Sequence, residues 1–228
     1  DDLLNEQERR FVRHFPTLPE RSRALLVRLI MRKGDHFRVS RLRYDEIGDI
    51  ESAAQPLLEL SWLSAEEPID VSSLARLLLK TELASLDLGV EQAGKLGKQT
   101  LIDALLAGNH APRPWHAWPG IPTDNVLSLQ ISDLCDRLRL LFFGNLAQDW
   151  SEFVLTELGL QQYESVPFPA HSRSFHQPGD GDQYLYLRRC REELEAGGDA
   201  IQCGDGRGEA GGRVGDIVVG FIVQDEHA

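Results

Sequence analysis

The sequence predicts a mostly α-helical protein that opens with a helix-turn-helix or winged-helix-like unit. Leucines recur at helical spacing over residues 20–33 and again over residues 52–60. Gly34 lies between the two runs, where a helix ends naturally. Four prolines within residues 108–123 then separate a front half from a second group of helices. No apolar run reaches the roughly 20 residues that a membrane-spanning helix needs.

The first elements follow from periodicity and from capping residues. Residues 6–15 are expected to form a short helix, and residues 20–33 a stronger one with an apolar stripe of leucines. Residues 36–39 form either a short strand or an extended link. Asp49 or Ser52 begins the next helix, which runs through Leu60 and is followed by Trp62-Leu63. This order of helix, turn and helix is typical of a winged-helix or helix-turn-helix unit.

The remaining elements alternate short helices with loops. A helix capped by Ser72 or Ser73 is expected over residues 70–79, and another over residues 98–106 after a glycine-containing loop. Residues 108–123 are irregular, which marks a domain boundary. Three further helices are expected over residues 124–143, 149–158 and 182–195. A glycine-rich tail follows, in which residues 217–223 read as a lone strand, and we expect that tail to be poorly ordered.

The net charge of −12 conceals a concentrated basic segment. Between Arg21 and Arg43 there are eight arginines and lysines and one acid, Asp35, while the rest of the chain carries the acidic excess. An acidic body with one basic segment directs its positive potential at a polyanion. A solvated helix face with salt bridges to acids elsewhere is the alternative.

Motifs for catalysis or cofactor binding are absent or lack their context. Residues 206–211 match a dinucleotide-binding glycine pattern, but no clear strand precedes it and a strand follows. Residues 89–96 approach a phosphate-binding loop, but Leu96 replaces the required hydroxyl residue. Neither the histidines nor the acids show metal-ligand spacing. The cysteines are odd in number and far apart, which argues against a disulfide framework: Cys135, Cys190 and Cys203. We identify no catalytic and no metal-binding residue.

Lys95 and Lys98 offer a second place for phosphate. They precede and open a predicted helix, where backbone N–H groups and lysines suit a phosphate oxygen. The alternative is a small helical hairpin whose lysines only confer solubility.

Several ordered blocks resemble the Fanconi-associated nuclease family in its bacterial form. They include residues 25–34 (LLVRLIMRKG), residues 37–47 (FRVSRLRYDEI) and residues 79–106, which resemble the family's SAP DNA-binding domain. Residues 140–143 and 153–159 resemble the start of its helical, TPR-like domain. The resemblance covers roughly residues 5–195.

The resemblance implies a domain order. We expect a basic winged-helix-like domain over residues 1–66 and a SAP-like domain over residues 67–110. A proline-rich linker over 111–123, the start of a TPR-like helical domain over 124–199 and a disordered glycine-rich tail over 200–228 are expected to follow. In the family a VRR-NUC nuclease domain follows, with a Pro-Asp pair and an acid-x-Lys unit. This sequence contains no Pro-Asp and no Glu-x-Lys after the helical region. We therefore expect a chain cut short or one with an altered terminus.

Members of this family are structure-specific DNA nucleases that cut near 5′ flaps, degrade 5′ to 3′ and act in interstrand crosslink repair. The resemblance thus implies the DNA-binding portion of such an enzyme, in a cytoplasmic, nucleoid-associated protein. Branched DNA is the implied partner, repair proteins are possible ones, and a membrane is not expected. Mg²⁺ or Mn²⁺ would serve the nuclease domain. The expected phosphate contacts are Arg28, Arg32, Lys33, Arg38, Arg41, Arg43, Lys80, Lys95 and Lys98.

Two alternatives stay open. The first is a helical protein-interaction scaffold whose basic stretch binds an acidic partner. The second is an intact enzyme whose site the motifs do not reveal.

Overall fold

The computed structural model describes residues 3–148, 150 and 174–195. The chain divides into two compact units, and residues 6–136 form most of the larger one. The described part is mostly helical, which confirms the predicted fold class. None of its helices is long and apolar enough to cross a membrane.

Among the described residues, six α-helices lie entirely within the larger unit. Asp49 caps the third of them by accepting the Glu51 N–H at 3.2 Å, as the sequence suggested. Asp70 caps the fourth through the Ser73 N–H at 2.9 Å, so the predicted caps Ser72 and Ser73 are wrong. The helices are α1 (Glu6–His14), α2 (Glu20–Ile30), α3 (Ile50–Glu59), α4 (Val71–Leu77), α5 (Lys80–Ala84) and α6 (Lys98–Ala107).

Three short antiparallel strands form a sheet beside these helices. Strands β1 (His36–Arg38) and β2 (Leu63–Ser64) pair with opposite edges of β3 (Val126–Leu129). Residues 36–38 are thus a strand, one of the two forms expected there. The predicted helix over residues 124–143 is wrong in its first part, because β3 is paired on both sides and all four of its residues are buried. Helix α7 begins only at Ser132 and ends at Phe143.

A compact apolar core holds α4, α5 and α6 together. Its fully enclosed side chains include Leu74, Leu83, Leu101 and Trp118. Trp118 donates its indole N–H to the Arg113 carbonyl at 3.2 Å. The irregular segment that follows α6 therefore contributes to this core. Strand β3 comes after that segment in the sequence, yet it pairs with β1 and β2, which precede it.

The smaller unit contains the end of α7 and helix α8 (Pro178–Glu195). Arg137 is buried there and donates to Asp182 at 2.8 Å and to the Leu3 carbonyl at 3.3 Å. The helix predicted over residues 182–195 is confirmed and begins four residues earlier. The predicted helix over residues 149–158, apart from Trp150, lies outside the described residues, as do the predicted strand over 217–223 and the tail over 200–228.

Candidate nucleic-acid interface

Arg38, one of the expected phosphate contacts, is buried. Its guanidinium lies 5.4 Å from the Trp115 ring and is only 7% exposed. It donates to Glu82 at 2.7 and 2.8 Å and through Nε to Asp124 at 2.8 Å. Burial opposes its charged form, but the two carboxylates outweigh that penalty and raise the pKa of Arg38. Arg38 is thus a fixed charge within the larger unit, connecting β1 to α5 and to the residues before β3.

Asp124 and Glu82 each hold other groups besides Arg38. Asp124 accepts the Ser40 hydroxyl at 2.5 Å and the Ser40 N–H at 3.2 Å, which fixes the turn after β1. Glu82 accepts the Leu79 N–H at 2.7 Å and contacts the Arg41 guanidinium at 3.4 Å. Burial acts to raise the pKa of both carboxyls. Hydrogen bonds outweigh it and lower both pKa values overall. The main bonds come from Ser40 and Arg38 at Asp124, and from Arg38 at Glu82. We call Arg38, Arg41, Glu82 and Asp124 the Glu82 cluster.

Arg41 differs from Arg38 although both contact Glu82. Its side chain is 42% exposed and makes one long contact to that carboxylate. A guanidinium carries five donors, so most of those on Arg41 face solvent. Arg41 therefore contacts the Glu82 cluster and keeps free hydrogen-bonding capacity.

Three lysines lie next to the Glu82 cluster. Lys98, the first residue of α6, donates to the Leu78 carbonyl at 3.0 Å, one residue before Leu79. Lys80 donates to the Gly94 carbonyl at 3.0 Å, which places it beside exposed Lys95. Each ammonium has three donors, so Lys80 and Lys98 each retain two. The backbone from Leu78 to Lys80 thus brings together Arg41 from the basic stretch and the lysines of the SAP-like segment.

A second basic group surrounds Tyr44. The guanidinium carbons of Arg28 and Arg32 lie 5.3 and 5.5 Å from the centre of its ring, within the range of a cation–π contact. Arg28 also pairs with exposed Glu46, at 3.0 Å through Nε and 2.5 Å through Nη2. We call Arg28, Arg32, Tyr44 and Glu46 the Tyr44 cluster. Within the described part of the chain, no carboxylate pairs with exposed Arg32, Lys33 or Arg43.

The nine expected contact residues therefore fall into four settings. Arg41 and the three lysines meet at the start of α5, and Arg28 and Arg32 flank Tyr44. Arg43 and Lys33 are exposed, and neither contacts a carboxylate or an aromatic ring among the residues that the structure describes. Arg38 is the only one of the nine that is buried, so its role is to hold Glu82 and Asp124 in place.

The residues that organise these cations could not be identified from the sequence. Glu82 and Asp124 lie 44 and 86 positions from Arg38, and neither belongs to a recognisable motif with it. Tyr44 has a local signal, because it follows Arg41-Leu42-Arg43 directly. Aromatic residues interleaved with basic ones are a common feature of nucleic-acid interfaces.

The described side chains form no metal site, and the Cys135 thiol is unreactive. No group of three or more histidines, cysteines or acids lies close enough together to hold a metal ion in this part of the chain. The Mg²⁺ or Mn²⁺ expected for the family's nuclease domain thus does not fit these residues. Burial raises the pKa of the Cys135 thiol to about 12, so this group stays protonated.

Two family matches cover the front half of the chain. Residues 1–64 match the family described as "FAN1, HTH domain", and residues 68–118 match the "Fanconi anemia-associated nuclease SAP domain". The larger unit contains residues 6–64 of the first match and all of the second, together with the sheet and the cations described above.

Relatives with this description occur in bacteria and plants. The Fanconi-associated nuclease 1 homolog of Pseudomonas aeruginosa is 46% identical over 196 residues, which cover 86% of this chain and 35% of that protein. The homolog of Arabidopsis thaliana is 30% identical over 172 residues, or 71% of this chain and 19% of that protein. The chain thus spans about a third or less of the length of the relatives it matches.

Two solved structures match this chain over almost its entire length. The crystal structure of paFAN1 bound to 2nt 5′ flap DNA with a gap has a TM-score of 0.80 and 41% identity, and the match covers 99% of this chain and 42% of that one. The complex with 1nt 5′ flap DNA has a TM-score of 0.79 over 100% of this chain and 43% of that one. The chain therefore belongs to the Fanconi-associated nuclease family and contains its HTH and SAP domains.

Proposed function

We propose that this chain is the DNA-binding portion of a structure-specific nuclease and holds the sugar–phosphate backbone of branched DNA such as a 5′ flap. The observation that supports this most strongly is the group of exposed cations that Glu82 and the Leu78–Lys80 backbone bring together. The similar structures that carry 5′ flap DNA support the choice of polyanion.

In this proposal the cations have different roles in binding. Arg41, Lys80, Lys95 and Lys98 contact phosphate oxygens through the donors that the protein leaves free. Arg28, Arg32, Lys33 and Arg43 add contacts or attract the strand at a distance. Arg38 touches no DNA, because its side chain is buried and is held by two carboxylates inside the protein. Phosphate contacts read no bases, so binding follows the shape of the DNA and not its sequence.

Bond cleavage in this proposal belongs to the nuclease domain of the family. By the resemblance, the complete enzyme cuts near 5′ flaps and degrades 5′ to 3′ in crosslink repair, with Mg²⁺ or Mn²⁺ at its catalytic carboxylates. The residues described here form no such metal site, and they supply binding and placement of the substrate.

A salt titration tests this function. The affinity for a labelled 5′ flap duplex is measured by fluorescence anisotropy in EDTA over a series of KCl concentrations. We expect log K to fall linearly with log salt, by about 0.9 for each phosphate neutralised in B-DNA. A slope near zero, or no binding at low salt, would contradict the proposal.

Polyglutamate serves as the matched competitor, because it carries negative charge without the geometry of a nucleic acid. If the basic surface binds an acidic protein partner, polyglutamate will displace the flap at equal charge concentration. We expect it to displace the flap only at a large excess.

A further inference from the structure

Leu79 is the most exposed large apolar side chain in residues 6–136. It is 58% exposed, whereas its neighbour Leu78 is 1% exposed and belongs to the core. Leu79 is also the N-cap residue of α5. Leucine is among the poorest residues at that position, where serine, threonine, aspartate and asparagine stabilise a helix. Neither packing nor capping explains a leucine here.

The backbone around Leu79 is held in place on both sides. Glu82 accepts its N–H at 2.7 Å, and its carbonyl accepts the Leu83 N–H at 2.9 Å. Lys98 fixes the preceding carbonyl at 3.0 Å, and Lys80 is tied to Gly94 at 3.0 Å. The Leu79 N–H and carbonyl and the Leu78 carbonyl are thus hydrogen-bonded within the protein, while the apolar side chain of Leu79 extends into solvent.

The groups around Leu79 are cationic. Arg41 reaches the same Glu82 carboxylate that binds the Leu79 N–H, and Lys80 and Lys98 contact the adjoining backbone. Glu82 already neutralises the buried charge of Arg38. An apolar side chain ringed by free cationic donors matches a nucleotide, which presents an apolar sugar next to its phosphates.

We propose that Leu79 packs against the deoxyribose of a DNA strand whose phosphates are bound by Arg41, Lys80 and Lys98. This inference rests on the proposed function and adds an apolar contact to it. Burial of the leucine excludes water from a strand that the cations already hold, and it contributes affinity that does not depend on counterion release. Every nucleotide carries the same sugar, so the contact is independent of sequence.

Leu79→Ser separates this role from a structural one. Serine is a favoured N-cap residue, so the variant should unfold at the same temperature as the wild type or a higher one. We expect its affinity for the 5′ flap duplex to fall about tenfold, as for a leucine left largely in water. That loss should be equal at every salt concentration, so that the slope of log K against log salt stays unchanged.

Two further variants complete the test. Leu106→Ala, at a residue 47% exposed near the other end of α6, should bind DNA like the wild type. Lys98→Ala should instead lower the slope by about 0.9. Wild-type affinity in Leu79→Ser, an altered slope, or an equal loss in Leu106→Ala would each overturn the contact. If the wild type itself shows no salt dependence, the proposed function fails, and the contact with it.

Discussion

The basic stretch of residues 21–43 supplies arginines to two contrasting settings. In the Glu82 cluster, Arg38 is enclosed and meets two carboxylates that have little exposure of their own, 21% for Glu82 and 5% for Asp124. In the Tyr44 cluster, Arg28 is 53% exposed, and its acidic partner Glu46 is 49% exposed. The same side chain serves as a structural charge in one place and as an available cation in the other, because burial and neighbouring acids determine which donors remain free.

The largest effect is expected from Arg38→Met. Removal of one member of a buried ion pair leaves the other charges uncompensated, so the free energy of unfolding should fall by about 3–5 kcal/mol. Urea denaturation at neutral pH measures it. Arg43→Met, at an exposed position that no carboxylate of the described ranges contacts, is the matched control and should change stability little. Equal stability of the two variants would show that the buried charge does not support the fold.

The second largest effect is expected from low pH, which should weaken the ion pairs of the Glu82 cluster. The lowered pKa values of Asp124 and Glu82 mean that the folded state favours their ionised forms. Their contribution is complete above the ordinary carboxyl pKa of about 4 and is lost as the pH falls through the lowered values.

Asp124→Asn isolates this contribution. Urea unfolding should show a shallower loss of stability below about pH 4 than in the wild type. Parallel curves for the two proteins would mean that Asp124 does not couple stability to pH.

Arg41→Ala probes the exposed side of the same cluster. Its contact to Glu82 is long and half in solvent, so the variant should unfold like the wild type within about 0.5 kcal/mol. DNA binding should weaken, with a salt slope shallower by about 0.9. Arg13→Ala removes a cation whose contacts lie within α1, and its slope should stay at the wild-type value. A large loss of stability in Arg41→Ala would show that Arg41, like Arg38, supports the fold.

The smallest effect is expected from Glu46→Gln in the Tyr44 cluster. The Glu46 carboxylate is held at a lowered pKa by its own backbone N–H and by Arg28, but both partners are solvated. Stability should not change measurably. The affinity for DNA should rise slightly at low salt, because Arg28 loses its acidic partner. A fall in affinity would indicate that Glu46 orients Arg28 for DNA.

The helices were predictable because their signals are local. The apolar stripes of α2 and α6 and the aspartate before α3 act within one or two turns, and the structure places these helices where the pattern does. Strand β3 was not predictable in this way. An apolar run such as Val126–Leu129 suits a buried helix equally well, and only its pairing with residues 36–38 and 63–64 decides for a strand.

The candidate site likewise has features with local sequence signals and features that depend on long-range contacts. Charge and spacing identified the basic stretch and the lysines of the SAP domain from the sequence. The distinction between Arg38 and Arg41, three positions apart, depends on Glu82 and Asp124, which tertiary folding brings from far along the chain. Leu79 was overlooked because an isolated leucine in a leucine-rich segment is expected to be in the core, and only its exposure reveals otherwise.

The most direct test of the account is the salt dependence of flap binding by the triple variant Arg41→Ala, Lys80→Ala, Lys98→Ala. Because all three cations are assigned to phosphates, we expect the slope of log K against log salt to become shallower by about 0.9 for each cation removed, with little change in the unfolding temperature. A slope equal to that of the wild type would show that DNA is bound elsewhere on the molecule.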